Sequence, residues 1–259
     1  MDFFKENLRE VLYKRPSVAM EIARSYNILA PLQELRNLVG GVYDSVDCSL
    51  YSKFELHSLV NAIVMNNYCG ESYIKSCLVE RFIKEDVVAA FEIKANSSRL
   101  DFLRINGDTI SYEIKSEYDS LKKLEKQVNN YEELFEYNYI VIDKKHLKKA
   151  IQLIPKNYGI LIVDGDLKEI KKAKKNSLIN CQKQLNLFTK KELYTHFGES
   201  KAEVLQKFTC PAINKQFKSM LKKRYLNKWN FLRDNKANIL PIDYQFFFRH
   251  NISPKLLYL

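Results

Sequence analysis

The sequence has no uninterrupted apolar stretch near the roughly 20 residues that a bilayer span needs; runs such as residues 160–163 fall far short. Its first ten residues already carry Asp2, Glu6 and Glu10, which does not suit a secretory leader. The reading is a soluble, cytoplasmic chain. Cysteine is sparse and unpaired in pattern: five residues, an odd number, widely scattered and without any Cys-x-x-Cys. That excludes a disulfide framework and a zinc knuckle and suits a reducing compartment. Also missing are Gly-x-x-x-x-Gly-Lys-Ser/Thr, Gly-x-Ser-x-Gly and His-Glu-x-x-His, and the four histidines (His57, His146, His196, His250) lie too far apart to indicate a single site. ATP use and serine or zinc hydrolysis are thereby disfavoured.

What is present is a chain of 259 residues, 46% hydrophobic and 28% charged, long enough for one or two domains with a real core. The net charge of +11 is unevenly spread. Residues 165–259 hold 20 Lys or Arg against 7 Asp or Glu, whereas residues 1–164 hold 22 against 24. Such asymmetry points to a polyanionic partner, nucleic acid before anionic membrane, although a lysine-rich helix face in water has the same composition.

Apolar spacing predicts helices over residues 2–38, through Phe3, Phe4, Leu8 and Leu12 and then Ile22, Ala23, Tyr26 and Leu29, broken at Pro16 and Pro31. Another helix is expected over 52–66, where His57 reads as a packed or surface imidazole. From residue 71 to 84 the pattern is helical again. Three short runs rich in β-formers follow, 87–93, 100–105 and 109–114, the last two joined by Asn106-Gly107-Asp108. A polar helix is expected over 117–136, a strand over 139–142, a helix over 145–154 and a buried strand over 159–163. The order α-β-β-β-α-β-α-β describes a mixed α/β sheet. The chain thus divides into a helical region 1–66, a core 67–164 and a basic, mainly helical region 165–259. In that last region residues 168–175 read as a basic surface helix. Thr189 and Glu192 have capping-box spacing, and Gly198 separates two helices in helix-turn-helix order, although Tyr194 stands where such motifs need a small residue.

The chemistry concentrates in the meander. Side chains alternate along a strand, so Glu113 and Lys115 project from one face while Tyr112 and Ile114 project from the other. If residues 106–108 form a three-residue loop, Ile105 pairs with Thr109 and Asp101 falls opposite Glu113; a two-residue loop would send Glu113 to the other face. Two carboxylates this close call for a cation, and a hard divalent ion with oxygen ligands, Mg²⁺ or Mn²⁺, is the ordinary solution. Such an ion activates water and polarises a phosphoryl oxygen, and a neighbouring lysine offsets developing charge. A third acid is expected from the preceding helix. Glu71 shares the face of Ile74, Cys77, Leu78 and Phe82, whereas Glu80 falls opposite; Glu92 is held in reserve. Gln127 and Tyr131 form an i, i+4 pair on the following helix.

Asp101, Glu113-Ile-Lys115 and Gln127-x-x-x-Tyr131 within this element order resemble the PD-(D/E)XK nuclease superfamily, and the stretch Arg99-Leu-Asp101, Tyr112-Glu-Ile-Lys-Ser116 and Asp119 is similar to a group of small bacterial proteins classed in it. The resemblance covers residues 67–164 and departs from the name-giving pattern in having Leu100 where proline would stand. It implies a restriction-endonuclease-like αβββαβ core, metal ligation by Asp101 and Glu113, assistance from Lys115, and support from Glu71 and Gln127. The expected activity is metal-dependent phosphodiester hydrolysis, with DNA as first substrate and a homodimer where both strands are cut. Lys222, Lys223, Arg224 and Lys228, interleaved with Tyr225 and Trp229, are the expected nucleic-acid grip. Leu221, Tyr225, Trp229 and Leu232 equally have the spacing of a buried stripe. The second reading is a nuclease-fold module that binds without turnover, within a defence or repair complex.

Overall fold

The computed structural model of the chain describes residues 15–42 and 47–259. The helical expectation for residues 2–14 lies outside them. The chain divides into two compact units, residues 1–76 with 231–259, and residues 77–230.

The first unit is helical. Helix α1 (Pro16–Ser25) starts at a proline whose missing N–H costs nothing in a first turn, and α2 (Leu32–Gly40) follows Pro31. Helix α3 (Lys53–Asn67) is opened by a capping box in which Ser52 and Glu55 satisfy each other's backbone N–H groups. Ala19, Ile22, Leu35, Leu56, Val60 and Ile63 close a core between these three helices. The first turns of α4 (Glu71–Phe82) belong to this unit. So do α11 (Tyr244–His250) and α12 (Pro254–Tyr258), numbered in chain order with the helices of the second unit between. Asn61 Oδ1 accepts from the Ile242 N–H at 3.1 Å, tying residues far apart in the chain into one unit.

The second unit is built on a six-stranded mixed sheet in the order β1 to β6, so the mixed α/β class expected from the sequence is observed. Strands β1 (Val88–Ala95), β2 (Ser98–Asn106) and β3 (Asp108–Lys115) form an antiparallel meander. Helix α5 (Leu124–Glu132) then crosses to β4 (Tyr137–Asp143), which runs parallel to β3. Helix α6 (Leu147–Leu153) crosses to β5 (Gly159–Asp164), again parallel. Both crossovers lie on one face, where Leu124, Val128 and Ala150 pack on Ile140, Ile142 and Ile160. On the other face Phe82 meets Phe102 and Tyr112, and Trp229 meets Phe102 at 6.3 Å between centroids.

Two differences from the expected elements have plain causes. The helix expected over 117–136 is reduced to α5 because its front end is spent on a turn. Asp119 Oδ2 accepts from the Ser116 N–H at 2.8 Å and from the Ser116 hydroxyl at 2.6 Å, and Ser120 then caps a 3₁₀ turn. Residues 168–171 are not helical but belong to β6 (Asp166–Lys171), antiparallel to β5 across the turn at Gly165. Only Leu167 of β6 is buried, so this edge strand lacks the apolar alternation by which strands are recognised.

The rest of the unit is helical: α7 (Cys181–Leu185), α8 (Lys190–Phe197), α9 (Lys201–Lys207) and α10 (Cys210–Asn235), whose last residues pass into the first unit. The expected Thr189–Glu192 capping box opens α8, left-handed Gly198 ends it, and Ser200 with Glu203 opens α9 in the same way. Among the described residues all five cysteines are free thiols, and no helix is long and apolar enough to cross a membrane.

Candidate functional site

The β2–β3 hairpin sets the geometry. Ile105 pairs with Thr109 and Asn106 with Asp108 around Gly107, so the register is the one that faces Asp101 with Glu113. Gly107 takes a φ of 73°, which a side chain would resist.

Glu113 is fully buried and both of its oxygens are engaged. Lys115 donates to Oε1, and the Tyr131 hydroxyl lies 2.8 Å from Oε2 and 2.9 Å from the Arg99 carbonyl. Burial pushes the Glu113 carboxyl up, against the pull of Lys115, Tyr131 and Asp101. Burial also works against the Lys115 charge, but Glu113, Asp101 and Asp119 outweigh it and hold the ammonium above its ordinary range. The Tyr131 phenol is pushed up by burial and by the acids beside it, which keeps it a donor. Asp101, half-buried, accepts the Ile114 N–H at 2.6 Å, so its carboxylate is pinned to the backbone between Glu113 and Lys115. Asp101, Glu113, Lys115 and Tyr131 therefore form one connected group.

Gln127 stands one turn before Tyr131 on α5. Its Oε1 is buried and has no hydrogen-bond partner. A buried acceptor in that state marks a place for a bound donor or a water.

Sequence reasoning underrated Glu92. The pairs Phe91 with Phe102 and Ile93 with Leu100 place Glu92 across from Asp101, and a carboxylate oxygen of each lies within 4.8 Å of the other. Glu92 takes a φ of 55° in mid-strand, a left-handed conformation that a glutamate adopts at a cost of about 1–3 kcal/mol and that concentrates at functional positions. Counting back from the Ala95 to Ser98 pairing would have found it. Arg99 approaches its Oε2 at 3.5 Å. Carboxylates this close, all hard oxygen donors, fit a divalent cation of the Mg²⁺ or Mn²⁺ kind and do not fit a thiolate-loving metal.

The remaining candidates differ in what they touch. Glu71 opens α4 in the first unit, where its half-exposed side chain pairs with Lys75; Glu80 is exposed on the same helix. On α10, Lys222 and Lys223 are exposed, whereas Lys228 is half-buried and already engaged. Arg224 is not a free cation: its Nε and Nη2 grip Glu192 at 2.8 and 2.7 Å, and it lies 4.4 Å over the Phe188 ring. Trp229 is fully buried, as are Leu221 and Leu232, so the stripe reading of that helix holds and Trp229 offers no face to a base.

Comparison with known proteins adds one finding. The family model described as Bacteriophage P4 protein cII matches residues 65–247, a stretch that includes the entire sheet. Neither the curated proteins nor the solved structures gave a match.

Proposed function

The chain belongs to the bacteriophage P4 protein cII family, and we propose that it is a metal-dependent nuclease that hydrolyses phosphodiester bonds, with DNA as its first substrate. The observation that carries this reading is the register-locked group of Asp101, Glu113 and Lys115, with Tyr131 held against Glu113. Asp101 and Glu113 would hold Mg²⁺ or Mn²⁺, with Glu92 the acid of the same sheet that stands near enough to join Asp101. Such an ion supplies Lewis acidity and lowers the pKa of a coordinated water. Lys115 keeps its charge beside the acids and offsets negative charge that builds on the phosphoryl group. Tyr131 fixes the rotamer of Glu113 through its hydroxyl. Cutting both strands with one such group per chain calls for two copies acting together.

The second reading, a nucleic-acid-binding module without turnover, draws on the complete burial of Glu113, both of whose oxygens are already engaged. One experiment separates the two. The protein and its Asp101→Ala and Lys115→Ala variants are incubated with supercoiled plasmid, linear duplex, single-stranded DNA and RNA, in Mg²⁺, Mn²⁺ or EDTA. The nuclease reading expects cleavage by the unmodified chain with metal only, none by Asp101→Ala, and a rate about 10²–10³ lower for Lys115→Ala. Equal gel shifts by all three proteins with no cleavage in any metal would leave the module.

A further inference from the structure

The first unit contains a cavity of 390 Å³, within the roughly 300–1,000 Å³ of small-molecule sites. Asp243, 3% exposed, is part of its lining. Its Oδ2 accepts the hydroxyls of Tyr26 at 3.1 Å and Tyr258 at 2.8 Å. Each tyrosine is itself held, Tyr258 by the Leu240 N–H at 3.2 Å and Tyr26 by His57 Nδ1 at 2.7 Å. The other ring nitrogen of His57 is buried without a partner. A lone pair tolerates that better than an N–H, so the proton belongs on Nδ1 and the Tyr26 hydroxyl is left to donate to Asp243.

These contacts fix one carboxylate oxygen and use it fully. Among the described residues no lysine or arginine pairs with Asp243, an arrangement that costs stability unless a donor arrives. Around it the lining mixes aromatic rings and amides with two charged side chains, Glu71 and Arg249. Tyr26 and Phe246 supply ring faces, and Asn27 and Gln245 supply amides. Gln245 Oε1 is taken by Lys75 Nζ at 2.5 Å, which leaves its NH₂ as the end that can serve a ligand. His250 lies against Phe246, 4.4 Å between ring centroids, at the exposed end of α11.

We propose that this cavity binds a nucleobase that carries an exocyclic amino group, its N–H edge on the second oxygen of Asp243 and its ring against Phe246 or Tyr26. A buried acceptor selects ligands with donors there and rejects those that present a carbonyl, because the unmatched pair repels. Guanine, adenine and cytosine carry the amino group; uracil and thymine offer only an N3–H flanked on both sides by carbonyls that the carboxylate repels. Guanine ranks first, since N1–H and the amino group donate side by side. The base arrives either as a free nucleotide or unstacked from a single strand. Only the strand as source rests on the nuclease reading.

The test is calorimetric titration of the full chain at pH 8.5 in EDTA, where Asp243, raised by burial to about 7, is ionised and accepts only, with GMP, UMP, and single-stranded oligonucleotides rich in guanine or in thymine. GMP is expected to bind at least about tenfold more tightly than UMP. Asp243→Asn replaces the acceptor by an amide that also donates, so it should narrow or reverse that preference. Phe246→Leu should weaken GMP by about tenfold. Binding by GMP alone marks the free nucleotide as ligand, and binding by the guanine-rich strand alone marks the strand. Equal affinity for GMP and UMP, GMP binding that neither cavity variant alters, or no guanine ligand bound at millimolar concentration would each overturn the proposal. Phe246→Leu supplies the comparison if Asp243→Asn does not fold. Guanine binding without plasmid cleavage would sink the nuclease reading and leave this one standing, and the converse holds equally.

Discussion

At the scale of single residues, Glu113 and Lys115 form an ion pair almost wholly removed from water, with the glutamate 0% and the lysine 8% exposed. Their mutual attraction offsets desolvation only while both are present. Lys115→Met is therefore expected to destabilise the second unit by about 3–5 kcal/mol, because it strands a buried carboxylate. Adding Glu113→Gln should recover most of that loss. Urea denaturation of the two single variants and the double variant measures the coupling, and a double variant as unstable as the sum of the singles would deny that the two side chains act as a pair. These residues were legible in the sequence because strand alternation and one loop length determine which side chains meet. Glu92 was not, since nothing local marks a glutamate for a φ of 55°; its conformation is imposed by the strands on which it sits. The stranded oxygen of Gln127 was equally invisible, for an i, i+4 spacing gives a face and not a partner.

At the scale of elements, the β2–β3 hairpin turns on Gly107. A Cβ built there meets nothing within 4 Å, so a side chain would cost conformational energy and no clash. Gly107→Ala should then lower stability by about 1–2 kcal/mol, and Gly107→Asn by less, since asparagine tolerates the left-handed region. Neither variant should alter the partners of Asp101, which lie at the far end of the pairing; chemical denaturation gives the first result and the Asp101-dependent cleavage assay the second. A loss as large as that of a buried core deletion would mean that the register itself had slipped. The hairpin could be read because alternating apolar residues flank Asn-Gly-Asp. Strand β6 could not, because its single buried side chain, Leu167, sits in a lysine-rich run that suits a solvated helix equally well. The stripe of α10 was recoverable from spacing, but the commitment of Arg224 to Glu192 was not, for those two residues stand 32 positions apart.

At the scale of the whole molecule, the positive charge follows the sheet and not only the C-terminal third. Residues 77–230 hold 30 Lys or Arg against 20 Asp or Glu, whereas the other unit holds 12 against 11. The near-neutral unit contains instead two buried groups whose titrations oppose each other. Burial raises Asp243 to about 7, so its contribution to stability is complete below the unfolded carboxylate range and is lost as pH rises toward 7. Burial and Lys53 lower His57 to about 4, so its contribution is complete above the unfolded imidazole range and is lost as pH falls toward 4. The two slopes cancel between about pH 4 and 6.5, and the intact unit should show a nearly flat stability profile there. Single substitutions unmask each slope. His57→Gln leaves Asp243 alone and should make stability fall as pH rises across this window, by at most about 3–4 kcal/mol. Asp243→Asn leaves His57 alone and should make stability rise with pH over the same interval. Hydrogen exchange resolved to residues 47–67 and 236–259 reads the first unit directly, while the single tryptophan, Trp229, reports on the second. Parallel pH profiles for both variants would mean that Tyr26, which touches both groups, shares one proton between them, so that His57 and Asp243 titrate as a unit.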